Sequence, residues 1–125
     1  MSLDEVTAAW VAAATVHGRA TELGDYRTGN PQARVIIAAC AELRRRGVDA
    51  QAQILAQLEH PEPAVRASAA AEALAFAPER AVEVLEAVAA ITRSLVAFTA
   101  CHALRMWHRG RFQPASWGDE IAPAS

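Results

Sequence analysis

His60-Pro61-Glu62-Pro63-Ala64-Val65-Arg66-Ala67-Ser68-Ala69-Ala70-Ala71-Glu72-Ala73-Leu74 is the stretch that decides the fold. Two prolines close together end the helix before them. Proline lacks an N–H and pushes the preceding residue out of the α region. Pro63 also has its φ set for the first turn of a new helix. The residues after Pro63 are mostly Ala, the strongest helix former. The spacing predicts a helix from Pro63 to Phe76. Such thin helices allow neighbours to approach at the short end of the usual ~8–10 Å separation.

The same bias runs through the chain. Of 125 residues, 31 are Ala, and all 12 basic residues are Arg. Hydrophobic residues make up 53% and the net charge is −2, which excludes a disordered tail. Aromatics are only 6%, and β-branched residues are scarce, which argues against an all-β fold. The length suits one domain able to bury its own core. The expected class is all-α.

Helix signals divide the remainder. Ser2 and Glu5 form a capping box for a first helix from Leu3 to about Leu23. Its apolar stripe is Leu3, Val6, Trp10, Ala13, His17 and Ala20. Gly24 to Asn30 reads as a loop, with Asn30-Pro31 opening a second helix whose inner face is Val35, Ile36, Ala39, Cys40 and Leu43. Arg44-Arg45-Arg46 meets the negative end of that helix's dipole, and Gly47 closes it. Asp49 is the expected cap of a short third helix with Ala52, Leu55 and Leu58 inward and Ile54 beside them. Pro78 opens a fifth helix, anchored by Val82, Leu85 and Val88, and a sixth runs from about Arg93 to Arg109. This gives a single helical domain over 1–110. The tail, 111–125, carries Phe112, Trp117 and Ile121 and is expected to dock on the last helix, which is apolar over most of its circumference.

Residues 51–74 shifted by 30 positions fall on 81–104. The shift pairs Leu55 with Leu85, Ala67 with Ala97, Ala70 with Ala100 and Leu74 with Leu104. On this repeat, and on Pro61-Glu62-Pro63-Ala64-Val65-Arg66, Ala69-Ala70 and Ala73-Leu74, the chain resembles HEAT/armadillo-type α-solenoids. The second unit departs from that pattern, with Arg93 in place of Pro and Val96 in place of Arg. The resemblance implies a short α-α superhelix of five to six helices that binds proteins. Through His17-Gly18, Gly24-Asp25, Asn30 and the Pro61 to Arg66 stretch, the chain also resembles a family of short bacterial helical proteins of unknown function. Some members of that family are encoded beside secreted polymorphic toxins, which implies an immunity or antitoxin-type inhibitor.

No nucleophile, base and stabiliser set is legible, so no enzyme is expected. Phosphate loops and metal-ligand spacings are missing, and no cofactor or metal is expected. Cys40 and Cys101 lie inside helical patterns and read as reduced, buried hydrophobes. Two polar groupings stand out. His17 lies on an apolar stripe and needs a hydrogen-bond partner if buried, which Asp25, Tyr26 or Asn30 could supply. The alternative is a polar site made of His17, Asp25 and Asn30. Asp49, Gln53 and Gln57 on the third helix, with Glu79, Glu83 and Glu86 on the fifth, would make a mainly acidic strip. That strip is either a solvated face or a docking surface for a basic protein partner.

Two alternatives remain. One is a structural or regulatory subunit that homo-oligomerises through the sixth helix, although a monomer is favoured. The other is a nucleic-acid binder using Arg44 to Arg46, against which the negative net charge argues. The acidic N-terminus has no apolar signal-peptide core after it, and no window of about 20 apolar residues spans a membrane. A cytoplasmic protein is expected.

Overall fold

A computed structural model describes residues 1–112. They form six α-helices and no strand: α1 (Leu3–Leu23), α2 (Tyr26–Arg46), α3 (Val48–Gln57), α4 (Pro63–Ala73), α5 (Pro78–Ala89) and α6 (Leu95–His108). Helices α1 and α2 pack as a long antiparallel hairpin. The next four pack in sequence order, and α1 also touches α4 and α6. Helix α4 lies at the centre, in contact with α1, α3, α5 and α6.

That position explains its composition. Val65, Ala69, Ala70 and Ala73 are wholly buried, and Ala64, Ala67, Ser68 and Ala71 are half-buried. A helix met from four directions has no room for long side chains. The tightest crossing is with α1 at Gly18. A Cβ placed there would stand 2.2 Å from the Ala64 Cβ. Beside it, the fully buried Trp10 donates its indole Nε1–H to Ser68 Oγ at 2.9 Å. The Arg44–Glu72 pair, at 2.8 Å and largely shielded, ties α2 to α4.

The capping box of α1 is present as expected. The start of α2 is not where the sequence put it. Gly24 adopts the left-handed conformation at φ 69°, with Gly24 N donating to Thr21 O and Asp25 N to Ala20 O. This closes α1 in two residues. Asp25 then caps α2, accepting from Thr28 N at 3.2 Å and from the Thr28 hydroxyl at 2.6 Å. Asn30 is therefore not the cap, and Pro31 lies inside the helix. Asp25-x-x-Thr28 satisfies the orphan N–H groups earlier than Asn30-Pro31 would.

Two inner faces also differ. In α2, Ala39, Cys40 and Leu43 are buried and Ile36 half-buried, while Val35 is exposed. In α3 the buried positions are Ala50 and Ile54, followed by Leu58. Ala52 and Leu55 face solvent, and Asp49 makes no capping bond because Gly47 occupies the N-cap at φ 72°. The burial pattern of α3 and α4 recurs 31 residues later in α5 and α6. Ala50 and Ala81, Ile54 and Leu85, Val65 and Val96, and Ala69 and Ala100 are all buried. A shift of 30 instead sets exposed Leu55 against buried Leu85. At that same shift Ile54 and Val84, Leu58 and Val88, and Ala70 and Ala100 are all buried.

Gly110, at φ 68°, ends α6, and Arg111 N and Phe112 N both donate to Met106 O. Phe112 packs against the core. The expected anchors Trp117 and Ile121 lie outside the described residues.

Candidate functional site

The helices around the Gly18–Ala64 crossing do not close completely. Small side chains bring the backbones together there, but they cannot fill the space where α1, α4 and α6 diverge. The result is a groove of about 240 Å³. Ala14, His17, Gly18 and Thr21 line it from α1, and Ala64, Ala67, Ser68 and Ala71 from α4. Val96, Thr99, Ala100 and Ala103 line it from α6, with Ile36 from α2 and Leu85 from α5.

Most of its polar groups are already engaged. The Thr21 hydroxyl donates to His17 O at 2.8 Å, and the Thr99 hydroxyl to Leu95 O at 3.2 Å. Ser68 accepts from Trp10. The His17 ring makes no hydrogen bond among the described residues. It is half-buried rather than buried, so solvent can serve its ring nitrogens in place of the structural partner expected for it.

His17 also borders a second cleft of about 190 Å³ with Asp25, Tyr26 and Asn30. The three residues singled out as a possible polar site are thus brought together. Asp25, however, is occupied as the α2 cap, and the Thr28 hydroxyl and N–H hold its carboxyl below the usual range. Asn30 is exposed.

The acidic strip is divided. Glu79, Glu83 and Glu86 point away from the buried face of α5 and are exposed, with no ion pair or hydrogen bond among the described residues. On α3, Asp49 is exposed, whereas Gln53 and Gln57 are half-buried and Gln53 donates to Asp4 Oδ1 at 3.1 Å. A cation also stands beside the strip: Arg80 on α5 pairs with Glu59, just past the end of α3, at 3.3 Å. Beside Asp49, the exposed residues of α3 include the apolar Val48 and Leu55.

The arginine cluster is internally paired. Arg44 meets Glu72, Arg45 and Arg46 both meet Glu42, and Arg46 also donates to Met1 O. Burial, reinforced by Glu72, pushes the Cys40 thiol up to about 12, which leaves it unreactive at neutral pH. Among the described residues, no three His, Cys, Asp or Glu side chains converge as metal ligands would. No helix among them is long and apolar enough to cross a membrane.

Sequence reasoning missed Glu22. Its carboxylate accepts from Ser94 Oγ at 2.7 Å and from Leu95 N at 2.5 Å, so a residue at the end of α1 caps α6. The Ser94 bond holds its pKa below the ordinary value. The groove was missed as well. Its one sequence signal is Gly18, an interior helical glycine that costs about 1 kcal/mol against Ala and so calls for a packing reason.

A family model described as Domain of unknown function (DUF2019) matches residues 5–107, from the first turn of α1 to the last turn of α6. The chain belongs to the DUF2019 family. No curated protein and no solved structure matches it. The groove residues and the α5 glutamates all lie inside the DUF2019 match.

Proposed function

We propose that this DUF2019 chain is a non-enzymatic protein-binding module that works in the cytoplasm. In this reading its helices form a short HEAT/armadillo-like superhelix. Two features support that architecture: the burial pattern recurs 31 residues on, and α4 and α6, the second helices of the two units, touch. The groove carries the functional reading. It is concave, almost wholly apolar and built on rigid helices, as binding sites commonly are. At about 240 Å³ it lies below the roughly 300–1,000 Å³ of small-molecule sites, and it suits one large side chain of a protein partner.

The α5 glutamates favour a basic partner. Glu79 and Glu83 are four residues apart, a like-charge pair that weakens an isolated helix by a few tenths of a kcal/mol. A cationic surface would relieve that repulsion and speed encounter. The sharpest form of the proposal is an immunity or antitoxin-type inhibitor of a basic toxin, which rests on the family resemblance. The pairing of Arg44 to Arg46 with carboxylates speaks against the nucleic-acid reading.

The test uses the purified product of the adjacent gene, titrated against this chain by calorimetry. A 1:1 complex is expected, weakened at least tenfold by Glu79→Ala/Glu83→Ala/Glu86→Ala and weakened by salt. An affinity unchanged by the triple substitution removes the acidic face from the proposal. Absence of any complex removes the adjacent-partner version.

A second reading, a homo-oligomerising subunit, is favoured by one observation. Leu95 and Phe98 on α6 are 52% and 70% exposed. Sedimentation equilibrium decides it, since a concentration-independent monomer excludes that role.

A further inference from the structure

The groove does not stand alone. His17 and Thr21 line both it and the second cleft, so the two hollows adjoin along the last turns of α1. Across His17 the lining changes character. The groove is walled mostly by Ala, Ile, Leu and Val, whereas the cleft carries Asp25, Tyr26 and Asn30. Among the described residues, Asp25 is the one carboxylate on either lining, and no arginine stands on them.

The Asp25 carboxyl is exposed, and the Thr28 hydroxyl and N–H keep it ionised at neutral pH. Each of its oxygens accepts one bond from Thr28, and each has a second lone pair to give. Its charge also offsets the positive end of α2, so that end does not repel a cation. Arg27 is exposed and does not line the cleft. The Tyr26 hydroxyl, the Asn30 side-chain carbonyl and the neutral His17 ring supply three more acceptors, and the Tyr26 ring is 67% exposed beside them. One carboxylate, several neutral acceptors and an open aromatic ring are the complement of a guanidinium. That group is planar, carries five N–H donors in a fixed fork and stacks on aromatic rings. An anionic group would meet Asp25 and be repelled.

Asp25 lies seven residues beyond Gly18 of the groove, or about 10 Å along α1 at 1.5 Å per residue. In an extended segment, side chains two residues apart share a face and start ~7 Å apart, and the length of an arginine covers the remainder. We infer that the groove and the cleft form one bipartite site for a protein segment that carries a large apolar side chain and, two residues away, an arginine. The apolar side chain fills the groove, and the guanidinium sits between Asp25 and the Tyr26 ring. The inference rests on the reading of the groove as the docking site and names what the site recognises. It gives the preference for a basic partner a local source, next to the apolar anchor and separate from the α5 glutamates.

The experiment is NMR on the full chain with labelled Ala methyls and Asn side-chain amides. The probes, at millimolar concentration, are acetyl-Phe-Ala-Arg-amide and its reversed order acetyl-Arg-Ala-Phe-amide. The same tripeptides with Ala or Glu in place of Arg are the controls. An arginine peptide in at least one order should shift the Ala67 and Ala103 methyls and the Asn30 amide together. It should bind about three- to fivefold more tightly than its Ala control, with the Glu control weakest. That advantage should vanish at about 1 M salt, where the Debye length is ~3 Å. Asp25→Asn, which can still cap α2, should bring the arginine peptide to the level of its Ala control. Equal affinities of the Arg, Ala and Glu peptides for wild type overturn the inference, whatever the variant does. The adjacent-gene product added to the same chain tests the docking reading separately. If it moves the Ala67 and Ala103 methyls while the peptides rank equally or do not bind, the bipartite site alone fails. If the arginine peptide is seated as expected and the product moves nothing, the docking reading alone fails. If neither moves them, both fall.

Discussion

Gly18→Ala is the substitution that most directly tests how this fold is packed. In an exposed helix interior the change stabilises by about 1 kcal/mol, because Ala is the better helix former. Here the new methyl would stand 2.2 Å from the Ala64 Cβ, where two carbons need about 3.5–4.0 Å. Neither atom lies on a flexible side chain, so relief requires α1 and α4 to separate by more than 1 Å at their crossing. Overpacking of this kind costs ~1–3 kcal/mol, and the Trp10–Ser68 bond crosses the same interface. The clash outweighs propensity, and a net loss of about 1–2 kcal/mol is expected. Urea denaturation should show a lower midpoint at unchanged slope. Ala64→Gly supplies the control. With that methyl gone, the nearest Ala64 atom is Cα, at 3.7 Å from the new Cβ, an ordinary contact. The double mutant should recover at least ~1 kcal/mol relative to additivity. Neutral or increased stability in Gly18→Ala alone would refute the close-crossing argument.

Three further outcomes are expected. Ser68→Ala strands the indole N–H of the fully buried Trp10 and should cost about 1–3 kcal/mol by the same denaturation assay. A loss under ~0.5 kcal/mol would mean that the bond is dispensable. Arg93 has φ 56°, a conformation that costs non-glycine residues about 1–2 kcal/mol. Arg93→Gly should therefore raise the thermal midpoint slightly and Arg93→Val lower it, and the reverse order would contradict that account. Folded-state pKa values of Glu22 and Asp25 lie below their ordinary 4.5 and 3.8, so the stability they contribute is present above those values and is lost as pH falls through the depressed ones. Stability should hold from neutral pH to about 5 and then decline. Glu22→Gln should reduce both neutral stability and that decline, and an acid profile identical to wild type would exclude the α1–α6 cap as its source.

Much of the fold is legible locally because its signals are local. Pro63, Pro78, Gly24, Gly47 and the Ser2/Glu5 box each act within a turn of chain, and the helix ends track them. The start of α2 was misplaced because two valid caps compete within six residues. The Asp25 carboxylate reaches both the N–H and the hydroxyl of Thr28, which Asn30 could not do. The inner face of α3 was illegible for a different reason. Its ten residues carry apolar side chains on several sides, so periodicity does not choose between Ile54 and Leu55. Contact with α4 makes that choice. For the candidate site, His17 was found from its place on a stripe, but its environment was not. The groove is assembled from Ala and Gly on helices far apart in sequence, and a hollow between them leaves no mark on any one helix.

The sequence by itself determined an all-α chain of thin, closely packed helices, and it identified most of the residues that form the core. Tertiary structure alone decided that α4 is the central helix, that Glu22 caps a helix more than seventy residues away, and that α5 turns its glutamates outward without partners among the described residues. It also decided where packing stops short and leaves the groove. The physical reason is that capping and proline effects act over one turn, whereas burial and hollows depend on which surfaces the whole chain brings together.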